Sequence, residues 1–392
     1  MFRLTNPVKR YAWGSTTALP ALLGAEPDGR PVAEIWMGAH PADPSVDEAG
    51  TGLDRLVAKD PAASLGPGVR GDRVPFMAKL LAAAAPLSLQ VHPTAEQAES
   101  GFRREEAAGL SRDDPGRSYR DRSAKPELLL ALEETELLAG FRPPAEADRL
   151  LSGLGLDALA PVVATLRAAD PQHVHGAALA AILLDPAPHE LADAVTRRVR
   201  ELGERGMFRT EYATVASLAE HHPGDVGIVA ALLLNQLRLA PGEVVYVPPG
   251  MVHSYLHGTG LEIMATSDNV VRAGLTAKHV DVAELLRLVD PAPGGPGRLE
   301  GSAAGAGTLY RPPVRDFALW TLTGSAGAAV PESGPRMVVS CAGRATVSGA
   351  HGSLDVGPGE CVFLTHADGP VELGTDGLLA VVHCPERVPA LV

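Results

Sequence analysis

Basic residues are in deficit: 34 Lys and Arg stand against 47 Asp and Glu, for a formal net charge of −13. Such a field repels polyanions at long range, which makes nucleic acid and anionic membrane poor partners. A small phosphorylated metabolite stays admissible, because a few local Arg or Lys side chains can hold a phosphate against an unfavourable global charge. Cysteine is scarce too. Cys341, Cys361 and Cys384 form neither a CxxC pair nor an even-numbered framework, which excludes a disulfide scaffold and suits a reducing compartment. Long hydrophobic runs are missing. Residues 80–89, broken by Pro86, and residues 226–234 fall far short of the roughly 18 residues a membrane helix needs. Lys9 and Arg10 are followed by no apolar segment of the secretory type, so a cytoplasmic protein is expected.

What is present is a globular composition, 45% apolar and 21% charged, in 392 residues. That length exceeds what one hydrophobic core serves, so two or three domains are expected. Short apolar runs cut by Gly, Pro and Asp predict strands at 33–37, 77–81, 87–92 and 128–132, with a charged helical turn at 103–109. From 144 to 235 Leu, Ala and Arg recur at helical spacing, as at 157–168 and 190–204, which predicts a helical insert. Strand texture returns at 244–248 and 261–266, then a helix at 281–289 and a Pro- and Gly-rich linker at 290–307. Evenly spaced strands follow at 317–322, 336–341, 343–347, 360–364 and 378–383. The expected division is therefore 1–143 with 236–290, an insert at 144–235, and a linker with a second β unit at 291–392. A weak repeat links the two β regions: Ala240-Pro-Gly-Glu-Val-Val-Tyr-Val247 is similar to Gly357-Pro-Gly-Glu-Cys-Val-Phe-Leu364.

Three segments carry candidate chemistry. Gly242 to His253 has the spacing G-x5-P-x-G-x2-H, a tight turn that ends one strand and opens the next with His253; it resembles the second metal motif of the cupins, with His257 where that motif usually has Asn. His253 is then a ligand or a hydrogen-bonded turn histidine. Gln90 and His92 stand two apart on an apolar strand and so share a face. A divalent ion would satisfy both, and so would a mutual hydrogen bond. In Lys125-Pro126-Glu127 a carboxylate opens a strand with a cation two residues away, which fits a ligand or an ion pair.

These segments do not stand alone. Tyr11-Ala-Trp13-Gly14, Ala33-Glu34-Ile-Trp36-Met-Gly38-Ala-His40-Pro41, Gln90-Val-His92-Pro93, Lys125-Pro-Glu127 and Ser267-Asp268-Asn269-Val-Val-Arg272-Ala-Gly274-Leu-Thr276 together resemble the type I mannose-6-phosphate isomerases across nearly the whole chain. The resemblance implies a mainly β fold with a helical insert, built of cupin (jelly-roll) barrels, one catalytic and metal-binding and one C-terminal. It implies one Zn2+ per chain on Gln90, His92, Glu127 and His253. It implies interconversion of mannose 6-phosphate and fructose 6-phosphate through a cis-enediol, by a monomer serving GDP-mannose biosynthesis. Arg272 maps to the family's catalytic Arg. Lys125 is a candidate base and equally a substrate anchor, and Asp268 would orient Arg272 or share in proton transfer. Glu34, Trp13, Trp36 and His40 are read as structural, with the two Trp filling core. His173, His175, His221 and His222 are read as solvated or capping.

The chain departs from that family in two places. Ala124 stands where a His usually precedes Lys-Pro-Glu, leaving Lys125, Asp268 or water to move protons. Ala95 stands where many bacterial relatives carry a Lys, so Arg103, Arg104, Arg117, Arg120 and Arg122 are the nearby substitutes for phosphate. Other readings are an isomerase of the same family with another sugar, a cupin oxygenase on iron, copper or manganese, and a sugar-binding protein without turnover.

Overall fold

A computed structural model describes residues 1–69, 71–168, 170, 173–203, 207–330 and 333–385. Among these residues the chain is mainly β with helices, as expected. Ten strands form one antiparallel sheet and nine form another.

The centre of the first sheet is the long strand His253–Ala265. Its register slips between Tyr255 and His257, and a bulge of this kind bends a strand. Gly258 follows at a φ of +118°, with the Thr135 backbone too close to admit a Cβ, so only glycine fits the bend. The first half of the strand accordingly pairs with Leu89–Val91 and Thr135–Phe141, and the second half with Phe76–Ala83 and Glu127–Ala131.

Period-two alternation then sorts the side chains by face. Phe76, Ala78, Leu80, Leu128, Leu130, Leu261 and Ile263 pack into one apolar core with Phe317, Leu319, Met337, Val339 and Phe363 of the second sheet. The residues between them, among them Lys79, Glu127 and Glu262, face the other way. Leu89 and Val91 enter a further core shared with the helices Pro144–Gly153, Val174–Leu183, Pro188–Leu202 and Arg209–His221. Gln90 and His92 are thereby turned to the side that Glu127 faces. The second sheet alternates likewise, but its inner face is apolar: Trp320, Leu322, Val338, Val362, Leu364, Leu379 and Val381 close on one another.

Several boundaries differ from expectation for identifiable reasons. The turn predicted at 103–109 is the end of a helix, Ala95–Ala107, which starts at a Thr94/Gln97 capping box. The segment 157–168 is a 3-10 turn, Asp157–Leu159, running into the helix Ala160–Leu166. The segment 190–204 is the helix Pro188–Leu202, and Glu204 lies outside the described residues, as do 386–392 of the last predicted unit. The linker is tied to the first sheet, with Gly294 N donating to Phe141 O and Leu299 N to Val244 O, each at 2.8 Å. Its end forms the strands Ser302–Ala304 and Gly307–Tyr310. Phe2–Leu4 pairs with Cys361–Leu364 of the second sheet, so the chain crosses to that sheet at both of its ends. His175 is buried rather than solvated, stacked on Phe141 at 4.7 Å between ring centroids.

Candidate metal centre

Strand register sets three residues side by side. Gln90 pairs with His253 on one flank and with Arg272 on the other. The turn before His253 is fixed by Gly250, which adopts a φ of +86° and donates its N–H to His92 O at 2.8 Å. Glu127 opens the neighbouring strand opposite Met264. The Q-x-H strand, the Pro-Pro-Gly turn and the Lys-Pro-Glu strand therefore converge on the inner face of the first sheet.

The donor atoms of His92, Glu127 and His253 all lie within 4.8 Å of one another, and all three residues are buried. His92 Nε2 is 3.1 Å from Glu127 Oε1, and His253 Nε2 is 3.1 Å from Glu127 Oε2. The Gln90 amide is 3.3 Å from His253 Nε2; a flip of that amide would present its oxygen instead. His92 Nε2 and Glu127 Oε2 are buried without a well-formed hydrogen bond, the condition a bound cation relieves. Burial, then the Lys125 charge, lowers the His92 pKa to about 4, so the imidazole is neutral, as a ligand must be. Burial opposes ionisation of Glu127, yet the neighbouring His92, Lys125 and His253 outweigh it and hold the carboxyl below its usual range. Two imidazoles, one carboxylate and one amide suit zinc, with room left for a further ligand.

The outer nitrogens of both histidines are oriented by carbonyls. His92 Nδ1 is 2.8 Å from Asn269 O and His253 Nδ1 is 3.1 Å from Met251 O, which leaves each Nε2 free to point at the centre. The Asn269 side chain is itself fully enclosed. Its Oδ1 accepts from Arg120 N and its Nδ2 donates to the carbonyls of Asp121 and Ser123, so one residue joins the His92 support to the loop that leads into Lys125 and Glu127.

Of the three residues expected to be catalytic, Lys125 places Nζ 3.1 Å from Glu127 Oε1. Arg272 is half-buried, and burial and then Arg120 push its pKa down. Asp268 does not meet Arg272 among the described residues: its Oδ1 lies 3.2 Å from His40 Nε2. Burial acts to raise the Asp268 pKa, but the His40 hydrogen bond, Lys125 and Arg120 bring it below its usual value. Of the arginines suggested as phosphate substitutes, Arg103, Arg104, Arg117 and Arg122 make ion pairs with helix carboxylates. Arg120 makes none among the described residues and stands near Arg272 and Lys278, whose pKa is lowered by burial and then by those two arginines.

A profile of the type I phosphomannose isomerase catalytic domain matches residues 1–144. Mannose-6-phosphate isomerase of Salmonella typhimurium is 35% identical over 394 residues, covering 98% of this chain and 99% of that protein. The chain belongs to the mannose-6-phosphate isomerase family. A crystal structure of a zinc-bound mannose 6-phosphate isomerase superposes with a TM-score of 0.89 at 32% identity, over 98% of this chain and 99% of that one. The Salmonella typhimurium enzyme bound to fructose 6-phosphate and zinc superposes equally well, with a TM-score of 0.89, 32% identity and the same coverage.

Within this member of the mannose-6-phosphate isomerase family, the inner face also holds charges that sequence reasoning passed over. Lys79 lies between Glu262 at 3.4 Å and Glu34 at 3.7 Å. Burial acts to lower the Lys79 pKa, but Glu34, Glu262 and Glu127 raise it above its usual value. Glu262 is pushed up to about 7 by burial and then by Glu127. Three buried carboxylates, Glu34, Glu127 and Glu262, thus face two buried ammonium groups, Lys79 and Lys125, and the surplus negative charge is what a dication would offset. The available sign was a charged residue inside an apolar run, Lys79 within Phe76–Ala83 and Glu262 within His253–Ala265. Trp36 is half-buried rather than core, held by Glu34 through Nε1 at 2.7 Å and by Lys9 4.2 Å over its ring.

Proposed function

We propose that this chain is a zinc-dependent isomerase that interconverts mannose 6-phosphate and fructose 6-phosphate. The observation that carries the reading is the convergence of His92, Glu127 and His253, with His92 Nε2 and Glu127 Oε2 buried and lacking a well-formed hydrogen bond, in a chain 35% identical to a mannose-6-phosphate isomerase along its length. Gln90, His92, Glu127 and His253 hold the ion, and a zinc ion there supplies Lewis-acid stabilisation of charge on a sugar oxygen.

The chain's own residues do the rest. Isomerisation of the aldose removes the proton on C2 and returns one to C1, while a hydroxyl proton passes from O2 to O1, through a cis-enediol. Asp268, ionised and with 39% of its side chain exposed, takes the carbon-bound proton and gives it back. Arg272 keeps its charge throughout and faces the oxygen on which negative charge develops. Lys125, set against Glu127, donates to a substrate oxygen and anchors the sugar. Arg120, Arg272 and Lys278 receive the phosphate; Arg120 and Lys278 make no ion pair among the described residues, so their charges are available to it.

On the same reading the two sheets are cupin barrels, the catalytic one formed by 1–143 with 236–290, the helical insert by 144–235, and the second barrel with its linker by 291–392. We further read the chain as a cytoplasmic monomer that serves GDP-mannose biosynthesis. Turnover of mannose 6-phosphate before chelation, after chelation and after zinc is restored tests the reading. We expect loss and recovery; full activity in the metal-free protein, or none with zinc bound, would contradict it.

A further inference from the structure

We propose that His40 is a positioning residue that fixes the Asp268 carboxylate for proton transfer; the proposal rests on the catalytic role given to Asp268 above. His40 lies just beyond the strand Glu34–Gly38 and is only 4% exposed, so substrate cannot reach it. Its tautomer follows from its partners. Nδ1 accepts the backbone N–H of Ala42 at 3.3 Å, which puts the ring proton on Nε2. That nitrogen is 3.2 Å from Asp268 Oδ1. The ring is also packed edge-on against Trp36, with centroids 4.9 Å apart at 67°, and Trp36 is in turn bound to Glu34. The imidazole therefore has a fixed position and a fixed proton.

Asp268 is held from two directions. Its backbone N–H donates to Asp121 Oδ2 at 2.9 Å, which sets the main chain, and His40 engages one carboxylate oxygen. No hydrogen bond engages the other oxygen among the described residues, so one face of the carboxylate is anchored and the other is open. A base needs this arrangement: a donor that orients it and favours its ionised form, and a free lone pair directed at the reacting proton. Lys125 and Arg120 also favour its ionised form through their charge, and neither hydrogen-bonds to it among the described residues.

Two substitutions separate positioning from packing. The side chain in His40→Asn overlays Nδ1 and keeps the Ala42 contact but cannot reach Asp268, whereas that in His40→Gln places an amide N–H where Nε2 lies. We expect kcat to fall on the order of 10²-fold in His40→Asn, the cost of a misplaced catalytic group, with KM within about twofold and the zinc content of the purified holoenzyme unchanged. His40→Gln recovers most of the rate. In an Asp268→Asn background His40→Asn adds no further loss. Should His40→Asn fold poorly, His40→Leu against His40→Gln makes the same comparison. Full kcat in His40→Asn beside an inactive Asp268→Asn enzyme overturns this proposal alone, as does a Gln variant no faster than the Asn variant. An active Asp268→Asn enzyme overturns the role of Asp268 and this proposal with it.

Discussion

The two sheets use the same local sequence device and fill their inner faces with opposite chemistry. In Ala240-Pro-Gly-Glu243 and in Gly357-Pro-Gly-Glu360, a Gly with positive φ closes the turn and the Glu N–H returns to the carbonyl three residues back at 3.0 Å. The Glu carboxylate accepts that same residue's N–H at 2.8 Å. Each turn leads into a strand, Val244–Val247 or Cys361–Leu364. Beyond that strand the copies diverge. The first continues through Pro-Pro-Gly to His253, and the second ends in a short turn at His366–Asp368. Behind the first, Lys79, Glu127, Glu262, His92 and His253 share a buried face; behind the second, Trp320, Val338, Val362 and Val381 do. An apolar inner face contributes about 25 cal/mol per Å² buried, while buried charges cost free energy unless paired. The first sheet spends stability on a site and the second supplies stability to the molecule.

The two sheets should differ most in their response to substitution at the candidate metal centre. His253→Ala or Glu127→Gln should abolish stoichiometric zinc and lower turnover by ~10³-fold or more, since several kcal/mol of charge stabilisation is lost. Metal analysis of the purified variant alongside its kcat checks both. In the second sheet the opposite pattern is expected. Trp320 is fully buried and donates to Ala304 O, so Trp320→Ala should cost about 3–5 kcal/mol of stability in denaturant melts while kcat per folded molecule stays unchanged.

A smaller effect sharpens the picture at the support of the site. Asn269→Ala removes the side chain that ties the His92 support to the Lys125 loop, and zinc affinity measured by competition with a chelator should fall ~10–100-fold. The smallest expected effect is in pH dependence. Folded His92 titrates at about 4, below its unfolded value near 6.5, so its contribution is present above that value and is lost as pH falls toward 4. Folded Glu262 titrates at about 7, above its unfolded value near 4.3, so its contribution is present at low pH and is lost as pH rises through 7. The two slopes oppose each other in the metal-free protein. Glu262→Gln removes the second, and its stability should rise with pH between 4.5 and 6.5 more steeply than that of the parent chain. Urea midpoints across that range decide it.

Much of the candidate site was legible because the side chains that converge there, His92, Glu127 and His253, sit in short motifs whose spacing is a local matter. Gln90 and His92 share a face by strand periodicity, and the Gly250 turn precedes His253 by necessity. Strands such as Phe76–Ala83, Glu127–Ala131, Val244–Val247 and Cys361–Leu364 were legible as apolar runs, whereas Thr135–Phe141, Leu234–Leu239, Val271–Gly274 and the mostly exposed Gly352–Val356 were not marked out. Lys79 and Glu262 were passed over because a charge inside an apolar strand reads as an interruption, and only the fold shows that they neutralise each other. The contact between His40 and Asp268 joins segments remote in sequence, which no local pattern reports. His175 appeared to be an ordinary helical histidine until the linker carbonyl of Pro291, 3.1 Å from its Nδ1, and the Phe141 ring covered it.

The position of the ion is decisive for the proposed function. Anomalous diffraction at the zinc edge from crystals of the zinc-loaded protein should show one peak per chain, within about 2.0–2.3 Å of the Gln90 amide oxygen, His92 Nε2, a Glu127 oxygen and His253 Nε2. A peak elsewhere, or none at those four side chains with zinc in excess, would contradict it.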